Sequence, residues 1–281
     1  MQGFYDSHVH SCHSMDSQQP FEEICQTALK KGLRGIAITD HAEMWFLEEF
    51  HVFEEIRASI ADAKAADERY RDKLRVFCGV EMAEFEDDPE NVEKILRFTN
   101  YDVVLGSVHS VHFEDWDTEY SRVSFDKPEA TESKIGRCLE AYFEKLFRMA
   151  AREDFDVLTH LTCPLRYING KYHRNISIQP YEDLILEILR SLIRRRKALE
   201  VNTSGIHSFY GEWMPGREIL ERYYSLGGRM ITLASDAHTA DRLGNAFSET
   251  ASLLKDIGFQ GYYYYDQRRP CWVSWDETLH G

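Results

Sequence analysis

The first residues of the chain with evident chemical potential are two histidines, His8 and His10. They lie at the end of a short stretch from Gly3 that has the pattern of a β-strand. A strand places alternate side chains on the same face, so both imidazole rings would project to one side. Two imidazoles on one face at a strand end form half of a divalent-metal site. We therefore searched the rest of the chain for the other half.

Six further predicted strands also end in residues that bind metals or substrates. These strands cover residues 33–39, 74–80, 101–108, 155–159, 198–202 and 229–234. The residues at their ends are Asp40 with His41, Glu81, His109, His160, Asn202, and Asp236 with His238. A single histidine is more often a polar residue of a loop or core, but six of the twelve histidines lie at predicted strand ends. Histidine and carboxylate ligands suit Zn, Mn or Fe, and eight or nine of them suit two or three metals.

Helical patterns alternate with these strands along the whole chain. They cover residues 20–32, 51–73, 89–100, 130–152, 181–197, 215–226 and 242–256, and Tyr262 to Tyr265 form a last strand-like segment. Seven β-then-α units predict a parallel sheet, and polar residues at nearly every strand end predict a closed or nearly closed barrel. An open doubly wound sheet is the alternative, but it usually concentrates ligand residues at one switch point. The fold prediction is one α/β barrel domain over residues 1–281, with its site at the C-terminal ends of the strands.

Composition limits the partners of this protein. A formal net charge of -15 opposes binding to long nucleic acids and to anionic membranes. The six cysteines are scattered and form no CxxC pair, which argues against a zinc ribbon or a disulfide framework. The sequence contains neither an apolar run long enough to span a membrane nor the pattern of a signal peptide, so we expect a cytoplasmic protein. Its oligomeric state is left open.

Five of the strand-end segments resemble the successive motifs of a known family. They are His8-Val9-His10, Thr39-Asp40-His41, Gly79-Val80-Glu81, Gly106-Ser107-Val108-His109 and Ser235-Asp236-Ala237-His238. In order and spacing they resemble the polymerase and histidinol phosphatase (PHP) superfamily, and the segments 200–205 and 228–232 are most similar to its histidinol-phosphatase branch. The resemblance implies a distorted (β/α)7 TIM-like barrel, a trinuclear metal centre and hydrolysis of phosphate esters. The implied reaction converts L-histidinol phosphate to L-histidinol and phosphate, in histidine biosynthesis.

The resemblance also implies a set of ligands for each metal. The first metal would take His8, His10, Glu81 and Asp236. The second would share Glu81 and add His109 and His160. The third would take His41, His238 and the residue that ends the first motif, which is Asp16 in the preferred alignment and His13 in the alternative.

The implied nucleophile is a hydroxide that bridges two metals, since a metal lowers the pKa of bound water to around 7. Asp236 and Glu81 would then act in catalysis through the metals they hold, and Asp40 would orient a neighbouring histidine. Arg166 and Arg242 are the arginines best placed to grip phosphate, although both also fit surface positions.

The leaving alkoxide needs a proton, for which His207 and His112 are the candidates. Asn202 is a candidate substrate contact, or it caps its loop. Aromatic residues are dense in the loops that follow the strands and either wall the substrate or pack over the barrel mouth: Trp45, Phe46, Trp116, Tyr167, Phe209, Tyr210 and Trp213.

One segment departs from the pattern of the family. After His160, the residues Leu161 to Pro164 are not the acidic continuation expected of the commonest histidinol phosphatases, which leaves the substrate more open than the chemistry. The alternatives are a phosphatase or phosphodiesterase for another small phosphate ester or nucleotide, and a non-catalytic metal-binding barrel. The nearly complete ligand set argues against the last of these.

Overall fold

A single sheet of parallel strands forms the centre of the molecule. This computed structural model describes residues 3–112, 118–152 and 154–279, so Trp116 lies outside the described residues. Seven strands follow one another in the order β1-β2-β4-β5-β8-β9-β10, and helices lie between them in the chain. The seven are β1 Tyr5–Val9, β2 Gly35–Ile38, β4 Arg75–Ala83, β5 Val103–Ser107, β8 Val157–Leu158, β9 Ala198–Asn202 and β10 Ile231–Ala234. The predicted strands are therefore confirmed, with ends shifted by a few residues.

The sheet curls until its first and last strands meet. The backbone N–H of His10 donates to the carbonyl of Ala237 at 3.0 Å, and the N–H of Asp236 donates to the carbonyl of His8 at 2.9 Å. Below this point the buried carboxylate of Asp6 accepts from the backbone N–H and the hydroxyl of Ser235 at 2.9 and 2.5 Å. These contacts close the gap between β1 and β10, so the prediction of a nearly closed barrel is confirmed over an open sheet.

The predicted helices are also present, each somewhat shorter than its sequence pattern. They are α1 Phe21–Lys31, α2 Val52–Tyr70, α3 Pro89–Leu96, α4 Glu132–Met149, α6 Glu182–Arg195, α7 Arg217–Ser225 and α8 Phe247–Ile257, and the short α5 Cys163–Leu165 and α9 Trp275–Leu279 were not predicted. Helix α1 follows Pro20 and stops at Gly32, whose φ of 74° favours glycine. None of the described helices has both the length and the apolar character needed to cross a membrane.

The end of the third predicted strand differs from expectation. We placed its end before Glu81, but β4 continues to Ala83, and a short strand missed by the sequence analysis, β3 His41–Glu43, pairs with it in parallel. In a sequence, a buried strand is expected to stop before a carboxylate, because burying an unpaired charge is destabilising. Here histidines surround Glu81, so the strand can continue through it. The pairing sets His41 directly beside Glu81.

The tyrosine-rich segment near the C-terminus lies under the barrel. It forms β11 Gly261–Asp266, which pairs with β12 Arg269–Ser274 in an antiparallel hairpin. A second hairpin, elsewhere in the chain, pairs β6 Ser110–Val111 with β7 Thr118–Glu119. Tyr264 stacks on Tyr5 with ring centroids 3.9 Å apart, and Tyr265 packs in a cluster with residues such as Phe77 from the barrel interior. The predicted strand is confirmed, whereas its partner β12 and its place beneath the barrel were not predicted.

Tyr262 should stabilise the fold through its hydroxyl. The ring is fully buried, and the hydroxyl accepts a hydrogen bond from the backbone N–H of Tyr5 at 2.9 Å. We expect Tyr262→Phe to lower the free energy of unfolding by about 1–3 kcal/mol, because it leaves this N–H without its acceptor. Tyr263→Phe, at a partly exposed position of the same strand, should change it by no more than about 0.5 kcal/mol. Urea unfolding measures both, and equal values for the two variants would contradict this role.

Candidate metal centre

Histidine and carboxylate side chains from the strand ends converge at one mouth of the barrel. The fully buried carboxylate of Glu81 lies in the middle of them. Ring nitrogens of five histidines, His8, His10, His41, His109 and His160, lie within 3.6 Å of one or other of its oxygens. Together with Asp236, Asp16 and His238, these side chains form three neighbouring groups of donor atoms.

The first group surrounds Nε2 of His8. This atom lies 3.0 Å from Nε2 of His10, 3.2 Å from Oε2 of Glu81 and 3.7 Å from Oδ1 of Asp236. Nε2 of His10 lies 3.6 and 3.3 Å from the same two oxygens. Four atoms at such separations can all lie about 2.0–2.2 Å from one common point, which is the usual Zn–N and Zn–O distance.

The second group uses the other oxygen of Glu81. Oε1 lies 2.9 Å from Nε2 of His160 and 3.3 Å from Nε2 of His109, and these two nitrogens are 3.4 Å apart. Glu81 therefore faces the first group with one oxygen and the second with the other. A carboxylate in that position can bridge two cations.

The third group lies nearer the surface. Oδ2 of Asp16 is 3.0 Å from Nε2 of His238, and Oδ1 is 3.5 Å from Nε2 of His41. His13 points elsewhere, because its two ring nitrogens lie 2.9 Å from Glu55 and 3.0 Å from Asp62 on α2. The structure thus brings Asp16, and not His13, to the other members of the third predicted set.

Opposite charges hold this buried cluster together. Burial raises the pKa of Glu81, but the neighbouring His8, His109 and His41 outweigh burial and hold its pKa well below the usual value. Burial likewise raises the pKa of Asp236, and His8, together with a hydrogen bond from His10, holds it well below normal. For His10 the pKa falls, because burial and the adjacent histidines both disfavour its charged form. The carboxylates are therefore ionised, and positively charged histidines balance them.

The arrangement of donor atoms fits divalent cations. Nδ1 of His8 is bonded to Glu200 at 2.8 Å and Nδ1 of His10 to the hydroxyl of Ser14 at 3.0 Å. With a proton on each Nδ1, both Nε2 atoms could offer their lone pairs to one cation, which would take over from the charged His8 ring as the partner of Glu81 and Asp236. Three buried polar atoms nearby, on His41, Glu43 and Glu81, also have no hydrogen-bond partner among the described residues.

A cleft lies over the cluster and is lined by one of the two predicted arginines. Arg166 donates to the hydroxyls of Ser204 at 2.9 Å and Tyr167 at 2.8 Å, and its Nη1 lies 3.8 Å from Oδ2 of Asp236. Helix α5 and the π-helical segment Arg166–Lys171 carry it there, directly after His160. Arg166 is thus brought to the cluster as expected. The cleft wall also contains Glu119, which the sequence analysis missed.

The remaining predicted substrate contacts lie at different distances from the cluster. Arg242 and His207 line an adjoining recess that opens onto Asp236 and His238. His112 packs its ring against Trp45, with centroids 4.0 Å apart, and it is not among the residues that line the cleft. The geometry of these described residues therefore keeps Arg242 and His207 as candidates and does not support His112.

Asn202 is held by neighbouring side chains. Its side chain is fully buried, and Nδ2 donates to Glu200 at 2.8 Å and to Asp236 at 3.3 Å, while Oδ1 accepts from Ser204. These contacts occupy the amide and favour the predicted alternative of a loop cap over a direct substrate contact. Asn202 instead fixes the carboxylate of Asp236, and its link to Ser204 agrees with the alternative of a loop cap.

Comparison with known proteins agrees with this geometry. Residues 6–204, more than half of the chain, match the PHP domain. The chain belongs to the PHP domain family. A "Probable histidinol-phosphatase" from Thermotoga maritima is 28% identical over 258 residues, which cover 91% of this chain and 93% of that protein. The histidinol-phosphatase of Lactococcus lactis is 27% identical over 269 residues, covering 90% and 91% of the two chains.

A solved structure confirms the fold of this PHP domain protein. The crystal structure of histidinol phosphate phosphatase from Lactococcus lactis, complexed with zinc, L-histidinol and phosphate, superposes with a TM-score of 0.73. It is 24% identical in sequence, and the match covers 96% of this chain and 98% of that one. The distorted TIM-like barrel is therefore shared along nearly the entire chain.

Two buried glutamates of this PHP domain hold histidine rings in place and were not predicted as site residues. Glu200 accepts from Nδ1 of His8, and Glu43 accepts from Nδ1 of His109 at 2.6 Å. Their signal in the sequence is the strand period of two, since Glu200 precedes Asn202 and Glu43 follows His41 by two residues. Asp40, predicted to orient a histidine, reaches His10 only through the hydroxyl of Ser14.

The choice of Asp16 over His13 as a ligand of the third group can be tested by substitution. We expect Asp16→Ala to bind one zinc ion fewer per chain than the unaltered protein, because the carboxylate faces both His41 and His238. His13→Ala should leave the zinc content unchanged, since its ring contacts α2 instead. Zinc is measured by mass spectrometry after reconstitution and desalting. The opposite result for the two variants would restore His13 as the ligand.

Proposed function

We propose that this protein is a metal-dependent phosphomonoesterase that hydrolyses L-histidinol phosphate to L-histidinol and phosphate, as one step of histidine biosynthesis. The observation that carries the proposal is the set of three neighbouring donor groups, two of which share Glu81, with Arg166 beside them. Further support comes from curated relatives named histidinol-phosphatase and from a structural neighbour solved with zinc, L-histidinol and phosphate. We also propose that residues 1–281 form one barrel domain and that the protein acts in the cytoplasm.

We assign the three donor groups to two or three divalent cations, Zn, Mn or Fe. His8, His10, Glu81 and Asp236 would hold the first, Glu81 with His109 and His160 the second, and Asp16 with His41 and His238 the third. Cations bound there would lower the pKa of water to around 7 and neutralise charge on the phosphoryl oxygens. Asp236 and Glu81 take part in catalysis by holding this charge in position.

The other proposed roles belong to side chains around the cleft. The guanidinium of Arg166 has its hydroxyl partners on one side and Asp236 on the other, so it is positioned to donate to phosphoryl oxygens. Arg242 offers a second positive charge from the adjoining recess. His207, exposed in the same recess, is the proposed proton donor to the leaving alkoxide.

The second candidate function is hydrolysis of another small phosphate ester or of a nucleotide diester. The departure at Leu161–Pro164 favours keeping this candidate. The net charge of -15 disfavours long nucleic acids as substrates of either reaction.

Phosphate release from L-histidinol phosphate tests the proposal directly. We expect the zinc- or manganese-loaded protein to prefer this compound over sugar phosphates, other amino-alcohol phosphates and a nucleotide diester. Faster turnover of another monoester by orders of magnitude would assign a different substrate. Activity on the diester alone would favour the second candidate, and less than one transition metal per chain would indicate a non-catalytic barrel.

Asp236→Asn is the matched control for that assay. It should abolish turnover because it removes the negative charge that faces the first group. Asparagine tolerates the left-handed backbone at this position, where φ is 51°, so the fold should persist by circular dichroism. Phosphate release near the unaltered level from this variant would mean that the ligand assignment is wrong.

Glu119 should select substrates that carry a positive charge. Its buried carboxylate lines the cleft beside Tyr120, and its pairing with Arg122, at 2.5 Å, offsets part of its charge. An ammonium or imidazolium group of the substrate could share this carboxylate. We expect Glu119→Gln to lower kcat/KM for L-histidinol phosphate about tenfold, a loss of about 1.4 kcal/mol. The kcat/KM for glycerol phosphate, whose alcohol part carries no positive charge, should change by less than about threefold. An equal loss for both substrates would show that Glu119 acts on the fold or on the metals instead.

A further inference from the structure

One carboxylate oxygen of Glu43 lies against two histidines that belong to different donor groups. Oε1 accepts from Nδ1 of His109 at 2.6 Å. It also lies 3.2 Å from Nδ1 of His41, whose other carboxylate neighbour is Oε2 of Glu81 at 3.0 Å. His109 belongs to the second group and His41 to the third. The Glu43 side chain is fully buried, and its other oxygen has no hydrogen-bond partner among the described residues.

The backbone explains why Glu43 reaches both rings. Strand β3 pairs in parallel with β4 and sets His41 beside Glu81 and Glu43 beside Ala83. Because side chains alternate along a strand, His41 and Glu43 project from the same face. His109 comes from the end of the next strand, β5, which pairs with β4 on its other side. Glu43 therefore lies between two strand ends that each supply one ring.

A second buried carboxylate fixes His109 from its main chain. Oε1 of Glu84 accepts from the backbone N–H of His109 at 2.8 Å and from that of Ser110 at 3.0 Å. Glu84 thus fixes the backbone of His109. Glu43 then sets the two remaining variables of the histidine ring, the rotation and the tautomer. With a proton on Nδ1 directed to Glu43, Nε2 beside Glu81 would offer its lone pair to a cation.

Glu200 provides a contrast on the opposite side of the cluster. It accepts from Nδ1 of His8 at 2.8 Å, from the backbone N–H of His160 at 3.0 Å and from Asn202. It touches only one ring, that of His8, which belongs to the first group. The chain thus contains two buried glutamates with the same chemistry but different connections.

We propose that Glu43 is a positioning residue that links cation binding at the second and third groups, so that its loss weakens both together. The proposal rests on the metal-dependent function proposed above. Carboxylates that accept from a ligand histidine typically contribute 10- to 100-fold to metal affinity. Because one oxygen of Glu43 contacts two rings, removing it affects the second and third groups. Glu200 contacts the ring of His8 and the backbone of His160, so removing it affects the first and second groups and leaves the third unchanged.

The test is a chelator titration of the full chain reconstituted with zinc. Zinc release is followed with a colorimetric chelator, and the equivalents are assigned from His160→Ala for the second group and His238→Ala for the third. For Glu43→Ala we expect both of these equivalents to be released at chelator concentrations at least about tenfold lower than in the unaltered protein. Glu200→Ala should shift the remaining equivalent, assigned to the first group, and leave that of the third group unshifted, because Glu200 contacts His8 and the backbone of His160.

Glu43→Gln separates positioning from simple structural damage. Its amide oxygen can still accept from Nδ1 of His109, so its release curve should lie between those of the unaltered protein and Glu43→Ala. Circular dichroism of the zinc-free proteins checks the fold. If Glu43→Ala does not fold, the zinc-release curve of Glu43→Gln decides alone. Release of both equivalents at lower chelator concentrations than in the unaltered protein then supports the link between the two groups. Release like the unaltered protein, or a shift of only one equivalent, would overturn it.

The outcome is independent of the substrate assignment. If zinc release follows the expected pattern while L-histidinol phosphate is not hydrolysed, the proposed function fails and the link through Glu43 stands. If hydrolysis proceeds but Glu43→Ala holds both equivalents normally, only the link fails.

Discussion

The site depends on keeping one ionised carboxylate, that of Glu81, inside the barrel. An isolated buried carboxylate would be strongly destabilising or would become protonated. Glu81 avoids both outcomes because histidine nitrogens surround its two oxygens and hold its pKa well below the usual value. Its two oxygens also face different donor groups, so the side chain that concentrates the negative charge joins the groups as well.

This constraint explains much of the surrounding structure. The histidines can face Glu81 only if their outer nitrogens are bonded elsewhere, and Glu200, Glu43 and the Ser14–Asp40 pair provide those bonds. The closure between β1 and β10 matters for the same reason, since His8 comes from the first strand and Asp236 follows the last. Without the backbone contacts across that gap, the first donor group would not assemble.

Strand periodicity and residue type made most of the barrel and of the ligand set predictable. Each of the seven strands was an apolar run followed by a polar residue, a local pattern that survives folding. Contacts distant in sequence were less accessible. Glu43 looked like an ordinary acidic residue after a ligand, and nothing near it in the chain indicates a bond to His109, 66 positions away. The choice between the two roles offered for Asn202 was open for a related reason, because its neighbours in the chain do not indicate its hydrogen bonds to Asp236 and Glu200.

The amino-acid sequence alone determined the alternation of strands and helices, the identity of the candidate ligands and their order along the chain. It could do so because both side-chain alternation and metal preference depend on residue type and short spacing. Only the tertiary structure decided that Asp16 rather than His13 faces His238, and that β11 and β12 lie beneath the barrel. Those outcomes depend on which of several chemically suitable partners lies within a few ångströms, and closure of the barrel sets that distance.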